Sequence, residues 1–247
     1  MCIRDRFNAG LEEQRQQAEA LCIELEGLIR AEDLEVRTLR AELSRLSTAF
    51  GQLGSLPRNA RQGLDKRFGQ ASHRLQERIA AAEIADAQQA LNSYQLLHTI
   101  CEQAEALAQD AQSDTGSVAT LDAAWRASAK PRNHKNLLDA LEERFAQAMA
   151  TLAGQAPAPD PQTLASNAAM RNKICLDLEI LRKQDSPRDC QTERLQRQVA
   201  LLEAAMKGAD EPQDRKVRDL QIDYLRQGPV PGDQQQALAE RFGRLFP

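Results

Sequence analysis

Phe50-Gly51-Gln52-Leu53-Gly54-Ser55-Leu56-Pro57-Arg58-Asn59-Ala60-Arg61-Gln62-Gly63-Leu64-Asp65-Lys66-Arg67-Phe68 is the stretch from which the fold can be read. It holds an aromatic, a glycine-marked break, a proline and a closing Arg-Phe pair. A glycine suits the end of one helix, and a proline suits the first turn of the next, where its missing N–H is not needed. The stretch therefore predicts helix, turn, helix. The same spacing, aromatic-x3-Gly-x2-Pro-x6-Leu-x2-Arg-Phe, returns at Tyr224, Gly228, Pro231, Leu238, Arg241 and Phe242. A looser copy lies between them at Trp125, Pro131, Leu141, Arg144 and Phe145.

Upstream of each copy stands a second element: Leu21-Cys22-x3-Glu26, Ile100-Cys101-x3-Glu105 and Ile174-Cys175-x3-Glu179. Cysteine and glutamate four apart share one side of a helix. Cys22, Cys101 and Cys175 fall within apolar stripes, which assigns them to core packing. The competing reading is a metal or redox site, but His98 and Cys101 at i, i+3 supply only two ligands. Glu26, Glu105 and Glu179 recur in step with Arg67, Arg144 and Arg241, so the spacing predicts a Glu–Arg pair defining each module; a general-base role is the alternative. From cysteine to aromatic is 28 residues in the first copy, 24 in the second and 49 in the third. The third copy is thus expected to carry an extra hairpin around Ser186-Pro187. Repetition of this kind marks an architecture of stacked helical units.

Composition agrees. Aromatics are 4% and charged residues 28% of the 247 residues, with strand-forming residues scarce. The formal net charge of −4, with signs interspersed, argues against a nucleic-acid protein driven by bulk charge. No apolar run of about 18 residues exists to span a membrane. The five cysteines are widely spaced and form no C-x-x-C pair, which fits reduced thiols and a cytoplasmic protein. Residues 1–6 lack the apolar core of a signal peptide and fail to join the following helical pattern, so they are expected to be a non-native or disordered leader.

Apolar periodicity predicts helices over 7–30 and from the Ala31-Glu32-Asp33 break to Phe50. No Gly or Pro occurs between Gly69 and Gly116, so one helix of roughly 50 residues, about 75 Å long, is expected to join the first unit to the second. Asp114 to Ser117 reads as a turn with Ser117 as N-cap, and a further helix is expected from about Pro131 to Leu152. Asp160-Pro161 and Ser186-Pro187 each read as a cap followed by a first-turn proline, with later helices at about 213–227 and 233–246. The expected domains are 7–90, 91–153 and 161–247, with a Pro/Ala-rich linker at 154–160.

The aromatic, the turn glycine, the proline and the Leu-x-x-Arg-Phe ending resemble the bacterial family of domain of unknown function 349, as does the run from Arg171 to Pro187. The resemblance covers about residue 20 to the end. Family copies usually carry Trp where this chain has Phe50 and Tyr224, and the proline of the middle copy is displaced. The resemblance implies a cytoplasmic, all-helical, coiled-coil-like bacterial protein without an established enzymatic role. It also implies a longer parent, of which this chain is a C-terminal fragment.

No catalytic nucleophile motif, phosphate loop or metal signature is present, so neither catalytic residues nor a cofactor are assigned. The leading functional expectation is a non-enzymatic intracellular scaffold or adaptor acting through protein partners, with self-association a further option. The second expectation is binding of nucleic-acid phosphate. It rests on basic residues beside two prolines: Arg58 and Arg61 in one copy, and Lys130, Arg132 and Lys135 in the other. Helix N-termini flanked by such residues favour anions, but the third copy, Pro231-Gly232-Asp233, lacks them.

Overall fold

The computed structural model describes residues 3–54, 56, 58–109, 115–206 and 212–246, with backbone alone at 3–8, 58–59, 115 and 204–205. Among the described residues the chain is all-α, without strands. Its helices are α1 (Ile3–Arg30), α2 (Val36–Gly51), α3 (Arg58–Gln109), α4 (Thr115–Ala127), α5 (Lys135–Leu152), α6 (Pro161–Leu181), α7 (Gln191–Met206), α8 (Gln213–Arg226) and α9 (Gly232–Leu245), with a short 3-10 turn at Arg188–Cys190 before α7. None is long and apolar enough to cross a membrane.

The chain forms two compact units, 1–89 and 90–247. The first buries Ala18, Cys22, Leu25, Leu39, Leu46, Leu64, Phe68 and Leu75 from α1, α2 and the opening half of α3. The second buries residues of the closing half of α3 together with α4, α5, α6, α8 and α9, among them Tyr94, Leu97, Cys101, Trp125, Leu141, Phe145, Cys175, Tyr224 and Phe242. In it α6 packs on α7, α8 and α9, and α5 packs on α8. The stretch Gly154–Pro159, expected to separate two domains, lies inside this second unit. Its composition reports a stiff local backbone, whereas α6 and α8 carry side chains of the same core as α5.

Each sequence copy is three helices. The first carries Cys-x3-Glu, the second ends near the aromatic, and the third carries Arg-Phe. The sets are α1, α2 and early α3; late α3, α4 and α5; and α6, α8 and α9. The extra element in the third set is the 3-10 turn with α7, where a hairpin was expected. There Pro187 precedes the 3-10 turn, and the Ser186 hydroxyl accepts from Arg194 instead of capping a helix.

Local chemistry sets the boundaries. The Asp160 side chain accepts from Thr163 N at 2.9 Å, and Pro161 opens α6, as the sequence predicts. Three boundaries differ. α1 already includes Ile3–Arg6, where a helix was expected to begin only at residue 7, while Met1 and Cys2 lie outside the described residues. α4 starts at Thr115, so Gly116 and Ser117 are helical and Ser117 is no cap; Asp114 lies outside the described residues. α5 starts at Lys135, four residues after Pro131. The intervening turn is held from α3 by Tyr94, whose hydroxyl donates to Pro131 O at 2.7 Å and accepts from His134 N at 3.2 Å.

Candidate functional site

The module signature assembles in space three times. Glu26 accepts from Arg67 Nε and Nη2 at 2.7 and 2.9 Å. Glu105 accepts from Arg144 at 2.8 and 2.8 Å, and Glu179 from Arg241 at 2.7 and 2.9 Å. All three are two-pronged guanidinium–carboxylate pairs, the strongest geometry available to these groups. The neighbouring phenylalanine lies about 100° further around the same helix, so Arg and Phe reach different neighbours. Phe68 stacks on Phe50 at 4.0 Å, Phe145 on Trp125 at 4.3 Å, and Phe242 on Tyr224 at 3.7 Å between ring centroids. In each module Arg-Phe thus ties the third helix to the first by charge and to the second by stacking.

The three copies differ in burial. The Arg67 and Glu26 side chains are 41% and 29% exposed; those of Arg144 and Glu105 are 8% and 6%, and of Arg241 and Glu179, 7% and 5%. The hydrogen bonds from Arg67 hold the Glu26 carboxyl below its ordinary range. For Arg144 and Arg241, burial disfavours the charge, and the facing glutamate more than offsets it. Cys22, Cys101 and Cys175 are buried free thiols. Burial pushes the Cys22 thiol up and raises Cys101 and Cys175 to about 12, so none is a thiolate near neutrality. Among the described residues no group of three or more His, Cys, Asp and Glu could hold a metal ion.

The second unit also holds a buried polar cluster that the sequence reading did not assemble. Arg171, fully buried on α6, donates to Glu102 on α3 and to the carbonyls of Gln227 and Gly228 at 3.2 and 2.9 Å. Its guanidinium lies 5.2 Å from the centre of the Tyr224 ring. Arg144 Nη1 donates to His98 Nδ1 at 3.0 Å and to Leu225 O at 3.1 Å. His98 Nδ1 also lies 3.0 Å from Leu225 O, and its Nε2 faces Glu102 Oε1 at 3.1 Å. For Glu102 burial alone would raise its pKa, but His98 and Arg171 reverse this and bring the carboxyl down to about 2. Burial pushes His98 below its ordinary value. The legible signal was position: Arg171 stands four residues before Cys175, where the other copies have Ala18 and Leu97. The cluster joins the second and third modules where apolar residues alone would otherwise meet.

Beside the Glu105–Arg144 pair lies a cleft of about 390 Å3, bordered also by Ala108, Ala148, Pro159 and Pro229. Its walls are mostly apolar; of the charged residues on it, Glu105 and Arg144 are committed to each other and Arg226 to Asp223, and Glu143 also lines it. No nucleophile–base pair lines it.

Of the expected anion-binding residues, Arg58 and Arg61 belong to the first unit and Lys130, Arg132 and Lys135 to the second. Arg61 faces Asp65 at 3.7 Å. Lys130 Nζ donates to Trp125 O at 3.0 Å and sits 5.4 Å from the Trp125 ring centre, so it closes the turn that has no matching glycine. Arg132 and Lys135 are exposed at the entry to α5. Pro57 and the Arg58 side chain lie outside the described residues. Pro131 and Pro231 both precede helix starts, Pro231 directly before α9.

One helix departs from ordinary amphipathicity. α7 presents mostly polar side chains to its own unit, Arg194, Arg197 and Gln198 beside Leu201: Arg197 is held by Asp177 of α6, with Nε to Oδ1 at 2.7 Å, and Gln191 donates to Ser186 O at 3.1 Å. Its outward face carries Leu195, Val199, Leu202 and Met206, all exposed. Compared with known proteins, the chain matches no family model, no curated protein and no solved structure.

Proposed function

We propose that the chain is a non-enzymatic cytoplasmic scaffold or adaptor that works by docking protein partners. The observation that carries this reading is α7, with polar residues turned inward and Leu195, Val199, Leu202 and Met206 turned to solvent. A surface helix normally does the reverse, and contiguous exposed apolar residues mark interaction faces. The repeated Glu–Arg pairs and aromatic stacks support the same reading, because they consume the distinctive side chains of each module in holding it together. The likeness of these repeats to domain of unknown function 349 belongs to this proposal as well.

Affinity capture from a host lysate tests it, with nuclease-treated and untreated samples compared and Leu195→Glu/Leu202→Glu as the reference. Protein partners that survive nuclease and are lost in the variant support the proposal. Recovery of nothing overturns it. Partners released by nuclease, and by Arg132→Glu/Lys135→Glu, would replace it with nucleic-acid binding.

A further inference from the structure

We propose that α7 is a self-association helix whose outward seam docks the same seam of a second copy of this chain; the inference rests on the reading of α7 as a docking face. Leu195, Val199, Leu202 and Met206 are spaced 4, 3 and 4 residues apart. That alternation averages the 3.5-residue repeat at which two helices keep one apolar seam in register. α7 has no counterpart in the other two modules, and the signature contacts of the third module are made by α6, α8 and α9 without it. Leu201 is half-buried on the inward face, whereas Leu195, Val199, Leu202 and Met206 are exposed and serve no packing need of their own unit.

Charge selects the occupant. The seam is flanked by Gln196 and Gln198, with Glu203 its one charged neighbour among the described residues, while Arg194 and Arg197 are tied to Ser186 and Asp177. A strongly basic or acidic partner would find little to grip. An identical face meets no row of like charges, and Glu203 in such a pair falls opposite the uncharged Gln198, the g–e relation of a parallel two-stranded coil.

Area sets the strength. Leu195 is 65% exposed, Val199 49%, Leu202 65% and Met206 87%. Together they present roughly 500 Å2 per copy, so two faces bury on the order of 1,000 Å2, the lower end for a specific interface. The dimer should therefore be weak and reversible, dissociating in the micromolar range.

Sedimentation equilibrium of the full chain across the micromolar range reads this directly. The expected result is a monomer–dimer equilibrium that is lost in Leu195→Glu/Leu202→Glu and kept in Ala200→Glu, an exposed position off the seam. Circular dichroism and melting should be unchanged in both variants, which separates loss of docking from loss of fold. A chain that stays monomeric throughout overturns the inference, as does a Leu195→Glu/Leu202→Glu variant that dimerises like the parent. If the chain is monomeric yet its lysate partners depend on Leu195 and Leu202, the second copy is the wrong occupant and the scaffold reading stands. If capture is also indifferent to those residues, both fall.

Discussion

The same two side chains, glutamate and arginine, do different amounts of work in the three modules because water reaches them differently. Glu26 and Arg67 keep solvent contact, and water screens much of their attraction. Glu105 and Arg144 are almost wholly buried; removing one partner there strands a charge, at a cost of about 3–5 kcal/mol. Arg144→Gln should therefore lower the melting temperature of the second unit sharply, while Arg67→Gln barely moves that of the first. Differential scanning calorimetry of the two variants makes the comparison. The polar cluster adds an acid dependence. Glu102 falls from an ordinary 4.5 to about 2 in the folded state, so it contributes on the order of 3 kcal/mol above pH 4.5, lost as pH falls from there towards 2. His98 is also depressed; it resists protonation when folded, so its contribution is present at neutral pH and fades as pH drops below about 6.5. Both signs agree, and urea midpoints of the second unit should fall steadily below neutrality, with Glu102→Gln removing the lower part of the slope. A flat profile between pH 7 and pH 3 would contradict this account.

At the scale of elements, the turn between the second and third helices of each module is held differently by the first helix. Gly54 N donates to Gln14 Oε1 at 2.8 Å, and Asn167 Nδ2 donates to Pro229 O at 2.9 Å. Gln14 and Asn167 both stand eight residues before their module's cysteine, so two turns of helix carry each to the same place. A Cβ on Gly228 would come within 2.7 Å of Asn167 Nδ2, whereas one on Gly54 would meet Gln14 no closer than 3.4 Å. Gly228→Ala should displace the Asn167 amide and cost about 1 kcal/mol, the net value of one hydrogen bond, with Gly54→Ala near neutral by chemical denaturation. The middle module lacks the glycine, and Lys130 and Tyr94 close its turn instead. Helix identity, the cap at Asp160 and the glutamate partner of each repeated arginine were legible in the sequence, because periodicity, capping chemistry and matched recurrence carry them; the stacking of each phenylalanine on its module's aromatic was not, since it depends on how the second and third helices pack. The start of α5 was not, since it is fixed by Tyr94 reaching across from another helix, and proline marked only where a helix was permitted. Arg171 was also missed: a buried arginine in an apolar stripe makes sense only once Glu102, distant in sequence, is seen opposite it.

For the whole molecule, modules and folding units are not the same. Three copies of one plan yield two cores, because Arg171, Glu102, His98 and Arg144 bind the second and third copies together, and their shared apolar core runs through both. Composition could point to the Pro-rich stretch at 154–160 as a boundary, but it could not register the charges that hold its two sides together. Substitutions should consequently act on one unit at a time. Phe68→Ala should lower only the transition of residues 1–89, and Phe145→Ala only that of 90–247, each by about 3–5 kcal/mol. Hydrogen exchange followed segment by segment distinguishes the two; equal loss of protection in both units after either change would refute the division.

Lys130 and Phe145 have a further consequence for the one tryptophan between them. Trp125 is the chain's sole indole, almost fully buried, stacked on Phe145 and covered by the Lys130 ammonium. Its near-ultraviolet emission therefore reports on the second unit alone, as a native lamp that needs no label. In a denaturant titration, fluorescence should track residues 90–247 while far-ultraviolet ellipticity sums every helix, and the separation between the two curves measures how independently the first unit melts.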